Sequence, residues 1–333
     1  MKILFGSKKN LYKANLHLHS TYSDGKCSVE KLKERYKEKG YSIIAFTDHE
    51  HLIDNSRLND DNFLAITSCE VAIKQYRDLS TLKRHDMKVT HLNFYSKDPH
   101  NVKTPCYSSF YDHYVKDEIK DIVWQGEEYE RVYSPDGINA MIKTAKEQGF
   151  LVSYNHPTWS LESALDYINY EGFDFVEIYN NSCALRGQHD DETAFETLLQ
   201  NGKRVFCTAA DDNHNARSFN SVYCDSFGGW CVINADSLDY SEIMTSLENG
   251  DFYASTGCEL YSITENDGKV QVKCSPVKKI ALYTATRRTS FALAEEGETI
   301  DFAELKLDET DVFFRIRIED EYGHKAWSQA YYL

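Results

Sequence analysis

Seven short apolar runs of strand type recur between residues 14 and 214, and amphipathic runs of helix type separate several of them. Their length and their content of Val, Ile, Phe and Tyr are typical of buried strands. Strands that alternate with helices build a parallel sheet, and seven of them predict a sheet closed into a β/α barrel. The runs are ANLHLH (14–19), YSIIAFTDH (41–49), NFLAITSCEV (62–71), KVTHLNFYS (88–96), FLVSYNHP (150–157), FDFVEIYN (173–180) and KRVFCTAADDNH (203–214).

The pattern changes after residue 215. GGWCVIN is of strand type and SLDYSEIMTSLENG of helix type, which predicts a linking strand and helix over 229–257. Residues 258–333 alternate apolar and polar positions between turn signals such as NDGK and EYGH, and they predict a small all-β sandwich domain. Residues 1–257 then form the barrel unit. Within it, 97–135 lacks clear periodicity, is rich in Tyr and acids, and is predicted to be an insertion or lid.

The stretch ANLHLHSTYSDG places two histidines on one face of the first strand. His17 and His19 are two residues apart, so both side chains project from the same side of a strand, and Asp24 follows just beyond the strand. Two imidazoles beside a carboxylate indicate a metal site. From this stretch alone, a pair of hydrogen-bonded strand histidines is an equally good interpretation.

Ionisable residues also stand at the C-terminal ends of the other strands. In a β/α barrel these ends form one rim, where active sites are built. The candidate metal ligands are His17, His19, Asp24, His49, Glu70, His91, His156, Asp212 and His214. Nine ligands exceed the roughly four of one tetrahedral ion, and imidazole with carboxylate suits Mn²⁺, Zn²⁺ or Fe²⁺. We therefore expect two or three divalent metal ions. His91 lies in mid-strand, where a structural histidine is the alternative.

The set HLHSTYSDG, FTDHE, SCEV, YNHP and AADDNHN resembles the polymerase and histidinol phosphatase (PHP) family of metal-dependent phosphoesterases over roughly residues 13–216. The resemblance implies a distorted seven-stranded, TIM-like β/α barrel with a trinuclear metal site on its C-terminal rim. The tail is similar to that of two-domain members of the family. The implied ligand sets are His17, His19, Glu70 and Asp212 for the first ion, bridging Glu70 with His91 and His156 for the second, and Asp24, His49 and His214 for the third.

The resemblance also implies the reaction, in which a hydroxide bridging the metals attacks phosphorus in line. Asp48 precedes a predicted ligand and is a candidate to orient a metal-bound imidazole, with a cap or a salt bridge as the alternative. Asp211 is a candidate proton shuttle, or else a surface acid. Arg186 and Arg217 follow the sixth and seventh strands and are candidate phosphate ligands, or else ordinary surface arginines. Glu177 ends the sixth strand and is expected to be buried against a neighbouring loop.

The composition and net charge of the chain limit the kinds of partner and cellular compartment that we expect. The formal net charge is −16 and no run of Lys and Arg offers a basic stripe, so a long nucleic acid is not expected. Nine cysteines without a C-x-x-C pair suit the reduced thiols of a cytoplasmic protein. MKILFG is too short an apolar run for a signal peptide, and no stretch approaches the ~20 apolar residues of a membrane span. The oligomeric state is not defined by these features.

The leading prediction for function is the metal-dependent hydrolysis of a small phosphomonoester, either a nucleotide or a sugar or alcohol phosphate. A phosphodiesterase or short-oligonucleotide exonuclease is the alternative within enzymes, because a Tyr-rich insertion would stack on bases. A catalytically idle, metal-stabilised binding module is the alternative of a different class. Such a module would have no need of nine ligands.

Overall fold

The computed structural model describes residues 1–76, 87–116, 119–124, 126–188 and 191–333. Its strands are β1 (Lys2–Phe5), β2 (Asn10–Asn15), β3 (Tyr41–Phe46), β4 (Leu64–Lys74), β5 (Val89–Ser96), β6 (Phe150–Tyr154), β7 (Phe175–Asn180), β8 (Phe206–Ala210), β9 (Trp230–Ala235), β10 (Phe252–Ser255), β11 (Leu260–Asn266), β12 (Lys269–Val277), β13 (Lys279–Thr284), β14 (Thr289–Leu293), β15 (Ile300–Lys306), β16 (Phe313–Glu319), β17 (Lys325–Trp327) and β18 (Tyr331–Tyr332). Its α-helices are α1 (Val29–Glu38), α2 (Pro135–Glu147), α3 (Ala164–Tyr167), α4 (Asn181–Leu185), α5 (Asp191–Gln200) and α6 (Tyr240–Asn249).

The seven predicted strands correspond to β2 to β8, which lie side by side in chain order within one large sheet. The first of them ends at Asn15, so the prediction that His17 and His19 lie within a strand is wrong, and both residues follow it. The fold is therefore mixed α/β, as predicted. Four of the neighbouring pairs are parallel, but β5 is antiparallel to both β4 and β6. The prediction of a wholly parallel sheet is wrong at β5. A buried strand has the same apolar content in either direction, so its sequence does not reveal which way it runs.

Side-chain caps set the starts of two helices that flank the sheet. Ser28 caps α1, because its side chain accepts a hydrogen bond from the backbone N of Lys31. The cap of α2 is Ser134, whose side chain accepts a hydrogen bond from the backbone N of Gly137, and the helix begins at Pro135. Proline suits the first helical position because its missing N–H has no partner there. Asp136 lies in the first turn, where a carboxylate is favoured by the helix dipole.

The tail consists of strands, as predicted for 258–333. A small sheet in the order β1-β11-β12-β15 packs against the strands β14-β13-β16-β17 of the large sheet, and buried apolar side chains from both form one core. The antiparallel strands β9 and β10, which are connected through α6, continue the large sheet from β17 to β2. One strand lies where the prediction does not put it: β1 was assigned to the barrel unit, but it pairs with β11 of the tail.

The predicted insertion at 97–135 carries a short 3₁₀ helix, Ser109–Tyr114, and a buried arginine. Arg131 pairs with the buried carboxylate of Glu50 at 2.7 Å, which ties the end of this segment to the loop after β3. All nine cysteines carry free thiols, in agreement with the absence of a disulfide pattern. Among the described residues, no helix is both long and apolar enough to span a membrane.

Candidate metal centre

The predicted metal ligands meet at one edge of the sheet. Eight of the nine belong to groups whose ligand atoms lie within 4.8 Å of one another. The groups are His17, His19 and Asp212; His17, Glu70 and His156; and His19, Asp24, His49 and His214. Because His17 and His19 are each shared between two groups, the three groups form one continuous cluster.

Backbone pairing between the segments after β2 and β8 assembles the first group. The N of Asp212 donates to the O of His17 at 2.8 Å, and the N of His19 donates to the O of Asn213 at 3.1 Å. His19 Nε2 then lies 3.1 Å from Asp212 Oδ1, and His17 Nε2 lies 3.4 Å from the same oxygen. Asp212 has a φ of 50°, a strained conformation that is most often found at functional sites.

Glu70 of β4 is the centre of the second group. The Nε2 atoms of His17 and His156 each lie 3.2 Å from its Oε1, and Nδ1 of His91 lies 3.0 Å from it. Burial alone would raise the pKa of Glu70, but the surrounding histidines outweigh it and hold that pKa well below its usual range. The carboxylate is therefore ionised and available to a cation.

His91 reaches Glu70 because β5 runs antiparallel to its neighbours. It lies near the start of its strand, opposite Ala72 of β4. The start of an antiparallel strand lies at the same sheet edge as the ends of its parallel neighbours. His91, which a parallel sheet would have placed away from the functional edge, thus faces the cluster. This placement favours the interpretation of His91 as a ligand over that of a purely structural histidine.

The third group surrounds Asp24 in the loop after β2. Its Oδ1 lies 3.4 Å from His214 Nε2, 3.7 Å from His49 Nε2 and 3.9 Å from His19 Nδ1. The loop turns tightly here: a Cβ at Gly25 would come within 2.3 Å of the O of His19. Glycine at this position therefore lets Asp24 face the histidines.

Three buried ligand atoms have no hydrogen-bond partner: His17 Nε2, His19 Nδ1 and Asp24 Oδ1. A buried polar atom left unpaired costs about 1–3 kcal/mol, so all three point to a missing electrophile. Nitrogen and carboxylate donors without thiolate suit Mn²⁺, Zn²⁺ or Fe²⁺. The residues of this cluster therefore fit divalent metal ions.

Glu177 orients one of the ligands. Its Oε1 accepts from Nδ1 of His17 at 2.6 Å, and its Oε2 accepts from the backbone N of His156 and from Nδ2 of Asn180, both at 3.0 Å. The expected burial is present, but the contact is with two metal-site histidines. Carboxylates commonly fix metal-binding imidazoles in this way. Sequence reasoning gave this role to Asp48.

Asp48 instead holds the loop that follows β2. It is buried and accepts four hydrogen bonds, from the backbone N and the hydroxyl of both Ser20 and Ser23. Among the described residues, its carboxylate makes no hydrogen bond to an imidazole. Burial raises its pKa despite these donors. Its place corresponds to the capping alternative, because it fixes the turn that carries Asp24.

Asp211 is fully buried, so it is not a surface acid. It accepts from Nδ2 of Asn15, from the hydroxyl of Tyr36 and from the backbone N atoms of residues 227–229. Burial raises its pKa to about 6 even with these donors. It points away from Asp212 into a polar network that joins β2, α1 and the loop before β9, which does not support a proton shuttle.

A cavity of about 370 Å³ opens over the cluster. Its lining includes Arg186, which was predicted, and Lys74, which was not. Lys74 is four residues beyond Glu70 on the same strand, and the strand period of two places both on one face; that spacing was the available signal. Arg217 is exposed and is not among the lining residues. The aromatic lining residues are Tyr76, Tyr114 and Trp159.

Known proteins resemble the chain in both sequence and structure. Residues 15–123 match the sequence profile of the PHP domain, and the comparison with curated proteins returned no significant match. A two-domain protein from Bacteroides vulgatus that contains a predicted PHP-like metal-dependent phosphoesterase is 12% identical, with 100% of this chain and 98% of that chain covered and a TM-score of 0.45.

Two further solved structures are similar to part of the chain. A proposed metal-dependent phosphoesterase from Bifidobacterium adolescentis is 14% identical over 62% of this chain and 90% of that chain, with a TM-score of 0.36. An amidohydrolase from Chromobacterium violaceum, with bound sulfate and no metal, is 13% identical over 60% and 87% of the two chains, with a TM-score of 0.38.

The PHP profile spans the first six predicted ligands, from His17 to His91. It also spans the loop held by Asp48 and the strand that carries Glu70. The resemblance inferred from the motifs is thereby confirmed by an independent comparison. Over residues 15–123, this chain is similar in sequence to the PHP domain.

Proposed function

We propose that this protein is a metal-dependent hydrolase of a small phosphomonoester. The proposal rests on one observation: a single cavity is lined both by the candidate metal ligands and by two cationic side chains that are not part of the ligand cluster. Lys74 and Arg186 line the cavity beside Glu70 and Asp212. Among the described residues, neither cation forms an ion pair with a carboxylate. They remain available to the oxygens of a phosphate.

The three groups of ligands would hold two or three divalent ions, with Mn²⁺, Zn²⁺ and Fe²⁺ all suited to the donors. When bound there, such ions would supply the Lewis acidity that activates water and offsets the charge on the phosphoryl oxygens. The chain's own residues do the positioning. Glu177 orients His17, Asp48 fixes the loop of Asp24, and Lys74 and Arg186 hold the phosphate from the open side.

The size of the cavity supports a small substrate. At about 370 Å³ it lies within the range of small-molecule sites, and the negative net charge argues against a long polymer. The rings of Tyr114 and Trp159 lie close to the ligands, with centroids 4.6 Å from His49 and 5.0 Å from His156 respectively. They favour a short oligonucleotide as the second candidate substrate, because bases stack on such rings.

We also infer that the seven strands close into the distorted barrel. The hydrogen-bonded path of the sheet is open between β8 and β2, but the residues just beyond these strands pair in parallel at Leu18 and Asn213. Closure at this point would bring the ligands of the first and last strands to one rim. Active-site residues of β/α barrels lie on such a rim. Residues 258–333 would form the attached sandwich.

Phosphate release tests the proposal. The protein is stripped with a chelator, reloaded with Mn²⁺, and assayed on glycerol phosphate, 5′-nucleotides, a bis-aryl phosphodiester and short oligonucleotides. We expect chelator-sensitive release from one or more monoesters. Cleavage confined to the diester or the oligonucleotides would favour the second candidate. No hydrolysis by protein shown to hold its metals would overturn the proposal in favour of a binding module.

A further inference from the structure

The C-terminal sandwich touches the metal-site unit through a buried arginine. Arg315 of β16 is only 1% exposed, and its Nη2 lies 3.2 Å from Glu192 Oε1 and also hydrogen-bonds Glu196. Arg317, two residues on, places Nη1 3.0 Å from the same oxygen of Glu192. Both acids belong to α5 and are four residues apart, so they lie on one face of the helix. The sandwich is therefore bound by ion pairs to the first turns of α5.

The same end of α5 reaches the wall of the cavity. Asp191, its first residue, is buried, and its Oδ1 accepts from the backbone N of Thr158 at 3.0 Å. Thr158 stands between His156, a ligand of the second group, and Trp159, whose ring lines the cavity. The path from the sandwich to the metal site thus runs from Arg315 to Glu192 and from Asp191 to Thr158. Thr158 is followed directly by Trp159 and lies two residues after His156.

The loop after β6 needs such support. His156 has a φ of 27°, outside the common regions for a non-glycine residue, and strained backbone persists only where its surroundings hold it. Two bonds from other elements hold the turn at His156 and Thr158: Glu177 accepts from the N of His156, and Asp191 accepts from the N of Thr158. The second of these depends on where α5 begins.

We propose that the C-terminal sandwich positions the cavity wall, with Arg315 as the positioning residue that sets α5 and, through Asp191, the Thr158–Trp159 turn. The sandwich is then part of the machinery that shapes the substrate site. Arg315 itself touches neither the ligands nor the cavity. The proposal concerns the turn and holds whichever ester the protein hydrolyses.

Hydrogen–deuterium exchange of the full-length protein tests this without any assay of activity. Arg315→Met should speed exchange of the Thr158 amide, followed in peptides covering 157–163, by tenfold or more. Asp191→Ala should do the same, because it removes the acceptor directly. The matched control is Arg288→Met, which removes another sandwich arginine that is paired with two carboxylates, Asp308 and Asp311, at a distance from α5.

A milder variant covers the case in which Arg315→Met does not fold. Glu192→Gln with Glu196→Gln keeps the shapes and removes both charges from the helix side, and it should raise exchange of the Thr158 amide severalfold. In whichever ester assay succeeds, the same variants should raise KM more than they lower kcat, because they move the cavity wall. Lower thermal stability with unchanged Thr158 exchange and unchanged KM would overturn the proposal and leave the sandwich a purely stabilising role.

Discussion

Glu177 and His17 form a buried carboxylate–imidazole pair, in which Nδ1 of the histidine lies 2.6 Å from Oε1 of the glutamate. A proton on Nδ1 is thereby held by the carboxylate, which leaves Nε2, on the side of Glu70 and Asp212, as the atom that would bind a metal. Glu177 thus selects the tautomer that can bind a metal. Because His17 belongs to two of the three ligand groups, this one contact fixes the position of an imidazole that both groups share.

Replacing Glu177 with Ala should weaken metal binding by about 10–100-fold, the usual effect of removing a carboxylate behind a histidine ligand. Metal content after dialysis against a graded chelator, together with calorimetric titration, gives the measurement. Glu248→Ala is the control, because that glutamate is half-exposed and, within the part of the chain that the structure describes, pairs only with Lys97. Equal metal retention by the two variants would remove Glu177 from the site.

Asp212→Asn should abolish phosphate release while leaving the fold largely intact. Oδ1 of Asp212 faces both His17 and His19, and an amide in its place loses the negative charge that joins them to a cation. Circular dichroism and the phosphate assay measured together separate loss of site from loss of fold. The exposed Asp61→Asn serves as control. Full activity in the Asp212 variant would rule out the proposed site.

Asp211→Asn should affect stability instead of metal binding. The carboxylate accepts from Asn15, from Tyr36 and from three backbone N atoms, and an amide leaves at least one of these donors unpaired. The expected cost is about 1–3 kcal/mol in the free energy of unfolding, measured by urea denaturation. Unchanged stability with a selective fall in kcat would restore the interpretation of Asp211 as a proton shuttle.

The strands and most of the ligands could be predicted because their signals are local. A buried strand is recognised within its own residues, and a polar residue at its end marks the functional edge wherever the neighbouring strands run parallel. This reasoning found His19, Glu70 and Asp212 without any knowledge of contacts. It was less secure at His91, where the strand runs in the opposite direction.

Features that depend on partners distant in sequence could not be predicted. Asp48 and Glu177 are both acids at strand ends, and nothing local distinguishes the one that meets two serines from the one that meets His17. The pairing of β1 with β11 joins opposite ends of the chain. The spacing of Lys74 from Glu70 predicts that both side chains lie on the same face of β4. That prediction points to a functional role for Lys74 only when the position of the cavity is also known.

Lys74→Gln and Arg186→Gln should each raise KM for the phosphorylated substrate about tenfold or more, because a charge-assisted hydrogen bond contributes roughly 1.5–3 kcal/mol. Lys74 is half-buried against aromatic rings, 5.1 Å from the centre of Tyr111. Arg217→Gln is the matched control, because Arg217 is exposed and does not line the cavity. Steady-state kinetics with the best monoester give the KM of each variant. A larger effect at Arg217 than at Arg186 would contradict the placement of the phosphate.

Metal affinity should rise with pH between about 6.5 and 9 because of His214. Burial alone would lower the pKa of this histidine, but the hydrogen bond to Asp24 and the charge of Asp212 outweigh it and raise the pKa to about 9. A ligand must lose its proton before it binds a metal, so affinity should increase about tenfold for each pH unit and each proton released.

The metal-free protein should show the opposite trend over the same range. A histidine whose pKa is higher in the folded state stabilises that state fully below its unfolded pKa of about 6.5. That contribution is lost as the pH rises through 9, and above that pH His214 is neutral in both states. Calorimetric titration of metal and urea unfolding of the stripped protein, each at pH 6 to 10, give the two curves. A metal affinity that stays flat from pH 6.5 to 9 would mean that His214 is not a ligand.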